Sequence, residues 1–352
     1  MTGNTFSSPL VYPGLHLLRR ALIVLQLLLV FAAPALAGSP VRIAVSVPGP
    51  HNLQFLPADL IRKIEADKAE GAEVTILHVG GGSGALRELN TRNSDFAILA
   101  LPGIMSQKAN GIDVVAIAAV NDKPIWSLMV RADLQEEIRS IADLRGRTIG
   151  VTTSSATIRT VTQQILELLL ADAGVALPDV HLLSIGKNWQ DQSASIKSGT
   201  VDAIMGDEPF ASRLEQEGKV FILAHPAIPH LTPKLESLGF LYATLATRPD
   251  IIADRPEMAA TMVRILQRTL AWIGSHSPAE VAAQLGPHDP EAEKAIRTCL
   301  ARYPNLYSPD GHFSSRQLAE TQAFFRSTAT GPAARSLDIE ALINDHWVGR
   351  KP

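Results

Sequence analysis

Short runs of apolar residues, rich in valine and isoleucine, recur along the chain between Val41 and Thr247. Turn-forming residues bound these runs and helical stretches separate them, which is typical of buried strands that alternate with helices. Such alternation indicates an α/β fold with mostly parallel sheets flanked by helices. The pattern predicts strands at 41–47, 74–79, 95–101, 114–120, 126–130, 148–151, 180–185, 201–205, 221–224 and 239–247.

The pattern changes beyond Pro249, where almost the whole chain has the apolar spacing of helices. A helical region that follows two α/β regions fits a chain that crosses to a second lobe and then returns. Helices are predicted at 56–69, 85–90, 158–170, 192–197, 256–275, 278–285, 291–301, 314–327 and 339–345.

Two segments of the chain repeat the same arrangement. Asp95–Pro102 and Asp202–Pro209 keep the same spacing from aspartate to proline, and each follows a short helix and a polar turn. Each also lies downstream of a strand, a loop of small residues and a helix. Chance similarity between two common units is the alternative, but the matching order of both elements favours two related lobes.

Two loops of small residues stand where a strand runs into a helix, at Gly80–Gly84 and at Thr152–Thr157. Free N–H groups and hydroxyls at a helix N-terminus suit an anion or a polar ligand. The alternative is that Ser154, Ser155 or Thr157 only caps the second helix.

Composition narrows the classes of protein. The chain has 352 residues, of which 46% are hydrophobic, and this length is enough for two lobes with a core each. The net charge is −3 and no basic run exists, which excludes the usual footprint of a nucleic-acid-binding protein. Cys299 is the single cysteine, so neither a disulfide framework nor a cysteine-based zinc site is expected.

The first residues have the order of regions found in a secretory signal. Arg19 and Arg20 precede the apolar run Ala21–Phe31, and an A-x-A cleavage site ends at Ala37. We therefore expect residues 1–37 to be a signal peptide cleaved after Ala37 and the protein to be periplasmic. An uncleaved anchor is the alternative, and no cysteine follows the site to make a lipoprotein.

Motifs of catalysis and of cofactor binding are incomplete. Gly80–Ala85 matches G-x-G-x-x-A, but the acidic residue that a dinucleotide site needs is not at the expected distance. His225 and His230 flank a proline-rich loop, where scattered surface histidines are expected rather than a metal pair. Asp207 and Glu208 are adjacent and should point to opposite faces, which makes a poor acid/base pair. The sequence thus indicates a binding protein without catalytic residues, metal or cofactor.

These segments resemble the nitrate/sulfonate/taurine class of ABC-transporter solute-binding proteins, which have the type II periplasmic binding protein fold and include binders of thiamine-pyrimidine precursors. The resemblance is strongest over Ser140–Phe210, where Ile141–Val151 resembles the start of the family's second lobe. Asp191–Gly199, followed by Val201–Ile204 and Asp207–Phe210, resembles another family segment. Asp207 departs from the pattern, because the family often has an aromatic residue there.

The resemblance implies a two-lobed clamp that closes on a small solute. Residues 38–125 and 238–352 would form the first lobe with the helical tail, residues 126–237 the second, and hinges would lie near 124–127 and 235–241. The function implied is capture of a small polar organic or anionic solute, such as a sulfonate, nitrate or a pyrimidine. The partners implied are that ligand, an ABC permease and its ATPase, and the protein is expected to be a monomer.

Three alternatives stay open at this point: a TRAP-associated extracytoplasmic receptor, an enzyme of pyrimidine or menaquinone synthesis on the same fold, and a sensor. Lys123 and Lys187 could neutralise an anionic ligand, whereas Asp207 and Glu208 could bind an amino or ring-nitrogen group. The ligand-binding residues expected are Asn52, Gly82, Ser83, Gly84, Pro102, Trp126, Thr153, Ser154, Ser155, Asn188, Trp189, Asp207 and Glu208.

Overall fold

Twelve strands are found in the computed structural model, which describes residues 1, 3, 39–153, 159–235, 238–286 and 289–352. Residues 1–40 and 41–352 form separate units, and all the strands lie in the second of them. In chain order the strands are β1 (Val41–Val47), β2 (Ala72–His78), β3 (Phe96–Ala100), β4 (Val115–Asn121), β5 (Ser127–Arg131), β6 (Thr148–Thr152), β7 (His181–Ile185), β8 (Ala203–Gly206), β9 (Val220–Ala224), β10 (Ala243–Thr247), β11 (Phe313–Ser314) and β12 (Arg350–Lys351).

Two five-stranded sheets have the same topology. Their strand orders are β2-β1-β3-β10-β4 and β7-β6-β8-β5-β9. In each sheet one strand is antiparallel to its neighbours, β10 in the first and β5 in the second, and each of these arrives from the other sheet. The mostly parallel sheets predicted from the sequence are therefore confirmed.

The repeat of Asp95 and Asp202 has a structural cause. The carboxylate of Asp95 accepts the N–H of Ala44 at 3.0 Å, and the N–H of Asp95 donates to the carbonyl of Ala44 at 2.8 Å. Asp202 makes the same two bonds with Thr148, at 2.9 and 2.8 Å. In the spatial order of each sheet the aspartate thus holds the third strand against the second, β3 against β1 and β8 against β6. The repeat therefore corresponds to equivalent positions of the two sheets.

Only two connections join the two sheets within the described residues. The chain passes from β4 to β5 through residues 122–126, and the described residues between β9 and β10 are 225–235 and 238–242. A continuous core includes side chains of both sheets and Trp126 of the first connection. The lobe boundaries and hinges stay a prediction.

The helices lie on the faces of the sheets and in the C-terminal region. They are α1 (Leu56–Leu60), α2 (Ala66–Ala69), α3 (Gly82–Asn90), α4 (Leu101–Ala109), α5 (Val161–Asp172), α6 (Trp189–Lys197), α7 (Phe210–Gln216), α8 (Pro249–Asp254), α9 (Pro256–Ser275), α10 (Pro278–Leu285), α11 (Pro290–Arg302), α12 (Ser315–Thr328) and α13 (Pro332–Ser336). In the described residues, none of them has both the length and the apolar character that a membrane span requires.

The structure corrects several helix boundaries. The helix predicted at 56–69 is broken, because Glu65 has a φ of 57° and starts a second short helix. α3 begins at Gly82 rather than at residue 85, and α5 begins at Val161 rather than at residue 158. The final helix predicted at 339–345 is a single 3₁₀ turn.

Replacement of Asp202 by alanine tests the bond to Thr148. We expect the free energy of unfolding to fall by about 1–3 kcal/mol, because the backbone N–H loses its acceptor. Asp133→Ala is the matched control, since Asp133 is exposed and also pairs with Arg131. Urea denaturation should show a control change below about 0.5 kcal/mol. Equal losses in both variants would assign the effect to Arg131 instead.

Candidate functional site

A cavity of about 560 Å³ lies where the carboxyl ends of strands from both sheets meet. The first sheet contributes Pro48–Asn52 after β1 and His78 and Gly80 at the end of β2. The second sheet contributes Thr153 after β6 and Gly186–Asp191 after β7. Ligands of open α/β sheets bind at such strand ends, so the geometry marks this cavity as a binding cleft.

A smaller cavity of about 100 Å³ adjoins the cleft, and Pro48 and Lys187 line both. The first turns of two helices face it, with Gly82 and Ser83 from α3 and residues 159–162 from α5. Thr160 caps α5, since its side chain accepts the N–H of Gln163. Two helix N-termini that converge on one cavity favour a negatively charged ligand group.

Lys187 is the cation best placed for such a group. It is half-buried where the two cavities join, and it has no ion pair with any described residue. The other cations of the cavities have acidic partners, with Arg213 on Asp289 at 2.6 Å and Arg159 on Glu167. An anionic ligand would therefore meet Lys187 without first breaking an ion pair.

The cleft also has an aromatic wall on the second sheet's side. The rings of Trp189 and Phe210 lie 6.3 Å apart, and the guanidinium carbon of Arg213 stands 3.9 Å above the Trp189 ring. Asn188 caps α6 by accepting the N–H of Asp191 at 2.8 Å. These contacts fix the orientation of Trp189 at the surface of the cavity.

Asp207 lies beneath this surface and joins the two halves of the molecule. Its side chain is buried, and Gln54 of the first half donates to it at 2.8 Å. Gln54 also donates to the carbonyl of Ile125 in the first connection, at 2.8 Å. Burial raises the pKa of Asp207, although the charge of Lys187 and a hydrogen bond from Thr152 act in the opposite direction. Asp207 thus carries an inter-sheet contact rather than an open ligand contact.

Glu208 lies in a buried network and lines neither cavity. Its carboxylate accepts bonds from the Ser127 hydroxyl at 2.7 Å, the Ser212 N–H at 3.1 Å and the Cys299 thiol at 3.2 Å. Burial disfavours ionisation of this group, but the bonds of His225, Ser127 and Ser212 outweigh it and lower the pKa of Glu208. The expected ligand contact by Glu208 is therefore corrected to a structural role.

His225 completes the network around Glu208. Its Nδ1 accepts the N–H of Ala227 at 3.1 Å, so the ring proton is on Nε2. Nε2 lies 3.2 Å from Glu208 and 2.9 Å from the hydroxyl of Tyr303. The expectation of a surface histidine is wrong for His225, which is fully buried, and right for His230, which is exposed. The described residues contain no acid, histidine or cysteine cluster that could hold a metal.

A protein-family model matches more than half of the chain. The model described as NMT1/THI5 like matches residues 68–280. The chain belongs to this family. No curated protein sequence matches it.

Solved structures are similar over most of the chain. A protein of Bordetella bronchiseptica RB50 is 22% identical, with a TM-score of 0.76 over 88% of this chain and 96% of that one. The alkanesulfonate-binding protein SsuA from Xanthomonas axonopodis pv. citri is 16% identical, with a TM-score of 0.67 over 88% and 99%. The nitrate-binding protein NrtA from Synechocystis PCC 6803 is 10% identical, with a TM-score of 0.65 over 86% of each. These likenesses confirm the two-lobed type II periplasmic binding protein fold.

The structure brings together about half of the residues expected at the ligand. Asn52, Thr153, Asn188 and Trp189 line the cleft, and Gly82 and Ser83 line the smaller cavity. Ser154 and Ser155 lie outside the described residues. Gln54, Tyr242 and the start of α5 also lie in this region and were not predicted from the sequence. The threonines at 160 and 162 could have indicated the N-terminus of α5, because threonine is common at a helix cap. The helix was predicted to begin at residue 158, which placed both threonines inside it.

Three expected ligand residues lie elsewhere in the structure. Pro102 is buried in the first turn of α4 and lines neither cavity. Trp126 is buried and faces a different cavity, beside the connections between the sheets. Gly84 serves packing, because a Cβ on it would lie 2.6 Å from the carbonyl oxygen of Val79.

Gly84→Ala and Gly82→Ala are a matched pair of variants in the first turn of α3. Gly84→Ala should lower the thermal midpoint, since overpacking against backbone costs about 1–3 kcal/mol. Gly82→Ala should leave it unchanged or raise it slightly, because its Cβ would meet nothing within 4 Å. Differential scanning fluorimetry compares the two, and a similar midpoint for both would contradict the assignment of Gly84.

Glu208→Ala tests the buried network. The expected loss of unfolding free energy is at least about 3 kcal/mol, because several buried donors lose their acceptor together. The pKa of Glu208 is lower in the folded protein. The stabilisation is therefore complete above the ordinary carboxyl pKa of about 4.3 and is lost as the pH falls through the lower folded value.

Glu215→Ala is the control for that measurement. Glu215 is half-buried and has no ion pair among the described residues, and burial raises its pKa. Its removal should change the unfolding free energy by less than about 1 kcal/mol. Urea denaturation at pH 7 and pH 4 compares the variants, and equal losses for both would show that the network adds little.

Proposed function

We propose that the protein is the periplasmic solute-binding component of an ABC importer. It captures a small polar organic or anionic solute in the cleft and delivers it to a membrane permease. In this proposal residues 38–125 and 238–352 form one lobe and residues 126–237 the other. Residues 1–37 are the signal peptide, cleaved after Ala37, and the mature protein is a monomer.

The arrangement of charge in the cleft carries the proposal. Lys187 stands without an ion pair at the junction of two cavities, and two helix N-termini face the smaller of them. This set binds and orients an anionic group, but it offers no nucleophile beside a general base, which an acyl or glycosyl transfer would need.

The similar structures support the same class of function. Their names describe binding proteins for alkanesulfonates and for nitrate, and others are named as parts of ABC-type transport systems. The volume of the cleft, about 560 Å³, lies in the range that accommodates a small organic ligand. Nitrate, sulfonates and pyrimidines are the first ligands to test.

A thermal-shift screen of the mature protein tests the proposal directly. Binding stabilises only the folded state, so a ligand at about 100 times its Kd adds about 2.7 kcal/mol and raises the midpoint. The panel should contain nitrate, alkanesulfonates, taurine, pyrimidines and aromatic acids. No shift with any of them at millimolar concentration would contradict transport of this class of solute.

Lys187→Gln tests the residue that we assign to the anionic group. The Kd of an anionic ligand should rise at least about tenfold, because a charge-assisted hydrogen bond is lost. Lys219→Gln is the control, since Lys219 is exposed and lines neither cavity. Isothermal titration calorimetry measures both, and an unchanged Kd in the Lys187 variant would remove this residue from the site.

A further inference from the structure

A second large cavity lies beside the connections between the sheets, away from the cleft residues. Its volume is about 550 Å³. The first connection contributes residues 122–124 and 126, and the second contributes residues 226, 227, 232, 233, 235, 238 and 239. The end of α11 and the start of α12 complete the wall. An occupant would therefore contact both connections at once.

Trp126 packs at the wall of this cavity. The residue is only 1% exposed, and its indole Nε1 is buried and has no acceptor in the described residues. The N–H is therefore not open to an occupant, but the indole ring lies close enough to report on one.

Two opposite charges line the same cavity without ion-pair partners among the described residues. The guanidinium of Arg302 donates a hydrogen bond to the hydroxyl of Ser212 at 3.3 Å, and its charge also acts on Glu215. Asp122 is half-buried, and its burial raises the pKa of the carboxyl to about 6, against the opposing effects of a hydrogen bond from Gln317 and the charges of Lys351 and Lys123. At pH 7.5 the carboxyl of Asp122 is ionised although it has lost part of its hydration. A bound ammonium group would replace the lost water contacts.

The other charges of the cavity are already neutralised or exposed. Arg316 pairs with Glu320 at 3.5 Å, and Lys123 is exposed to solvent. Between the charged positions the wall is apolar, with Pro124, Pro233 and Leu235 among its residues. The cavity therefore combines one acid and one base without ion-pair partners among the described residues with an apolar surface.

We propose that this cavity is a second binding site, distinct from the cleft, for a free amino acid with an apolar side chain. Arg302 binds the carboxylate, Asp122 binds the ammonium group, and the proline and leucine wall holds the side chain. A zwitterion fits because one acid and one base without ion-pair partners among the described residues line the same cavity.

The chain has four tryptophans, so indole ¹⁵N NMR can report on Trp126. The mature protein is labelled at tryptophan, and Trp126→Phe assigns the signal. Titration with L-leucine at pH 7.5 should shift the Trp126 signal and saturate in the millimolar range or below. The Trp189 signal reports separately on the cleft.

Two analogues of leucine carry one charge each and serve as matched ligands. 4-Methylpentanoate has no amine and 3-methylbutylamine has no carboxylate. Each should bind at least about tenfold more weakly than leucine, since one charged contact is lost. Asp122→Asn should remove the preference over 4-methylpentanoate, and Arg302→Gln the preference over the amine.

These comparisons give clear outcomes that would overturn the proposal. One is an unmoved Trp126 signal with leucine, valine and phenylalanine up to about 10 mM. Another is equal affinity of the wild-type protein for leucine and for a singly charged analogue. This comparison does not depend on the folding of any variant. Lys187→Gln should leave the leucine titration unchanged, so that failure of the cleft assignment and failure of this site are distinguishable.

Discussion

The carboxylate of Glu208 is the constraint on which the junction of the molecule depends. Ser127 of β5, Ser212 of α7 and Cys299 of α11 all donate to it. The carbonyl of the same residue accepts the N–H of Leu53 from the first half at 3.1 Å. A buried anion is stable only when its donors surround it, so these elements must keep their relative positions for any of them to be satisfied. The helical tail is thereby held against the second sheet at the edge of the cleft.

Asp207, the preceding residue, limits what the cleft can do electrostatically. It lies under the same surface as Lys187, and the two charges act on each other. Part of the field of Lys187 is therefore compensated inside the protein, which favours a ligand of modest charge over a multiply charged anion. The bond from Gln54 to Asp207 also crosses between the two halves, so a change in their separation would expose this buried group.

Much of the fold could be predicted from the sequence, because apolar residues recur with different periods in strands and in amphipathic helices. The Asp–Pro repeat also indicated two related lobes. The predicted helices at 256–275 and 278–285 agree with the structure to the residue. The site was less predictable. Pro102 follows the end of β3, as true cleft residues follow strand ends, and Trp126 stands directly before β5. A single sequence does not show which face of the sheet such a residue meets. Glu208 was misassigned for a related reason, since its partners come from distant parts of the chain.

The two halves differ most clearly at one equivalent position. In the Asp–Pro repeat, Leu101 of the first half occupies the place of Glu208 in the second. Leu101 is fully buried in the apolar core, as its place at a strand end predicts. In the second half the helical tail covers this position, and Cys299 and Tyr303 of that tail lie within the Glu208–His225 network. An apolar residue there would pack equally well but would leave the donors of the tail unpaired. The acid is therefore explained by α11 of the returning tail, which meets the second half at this position.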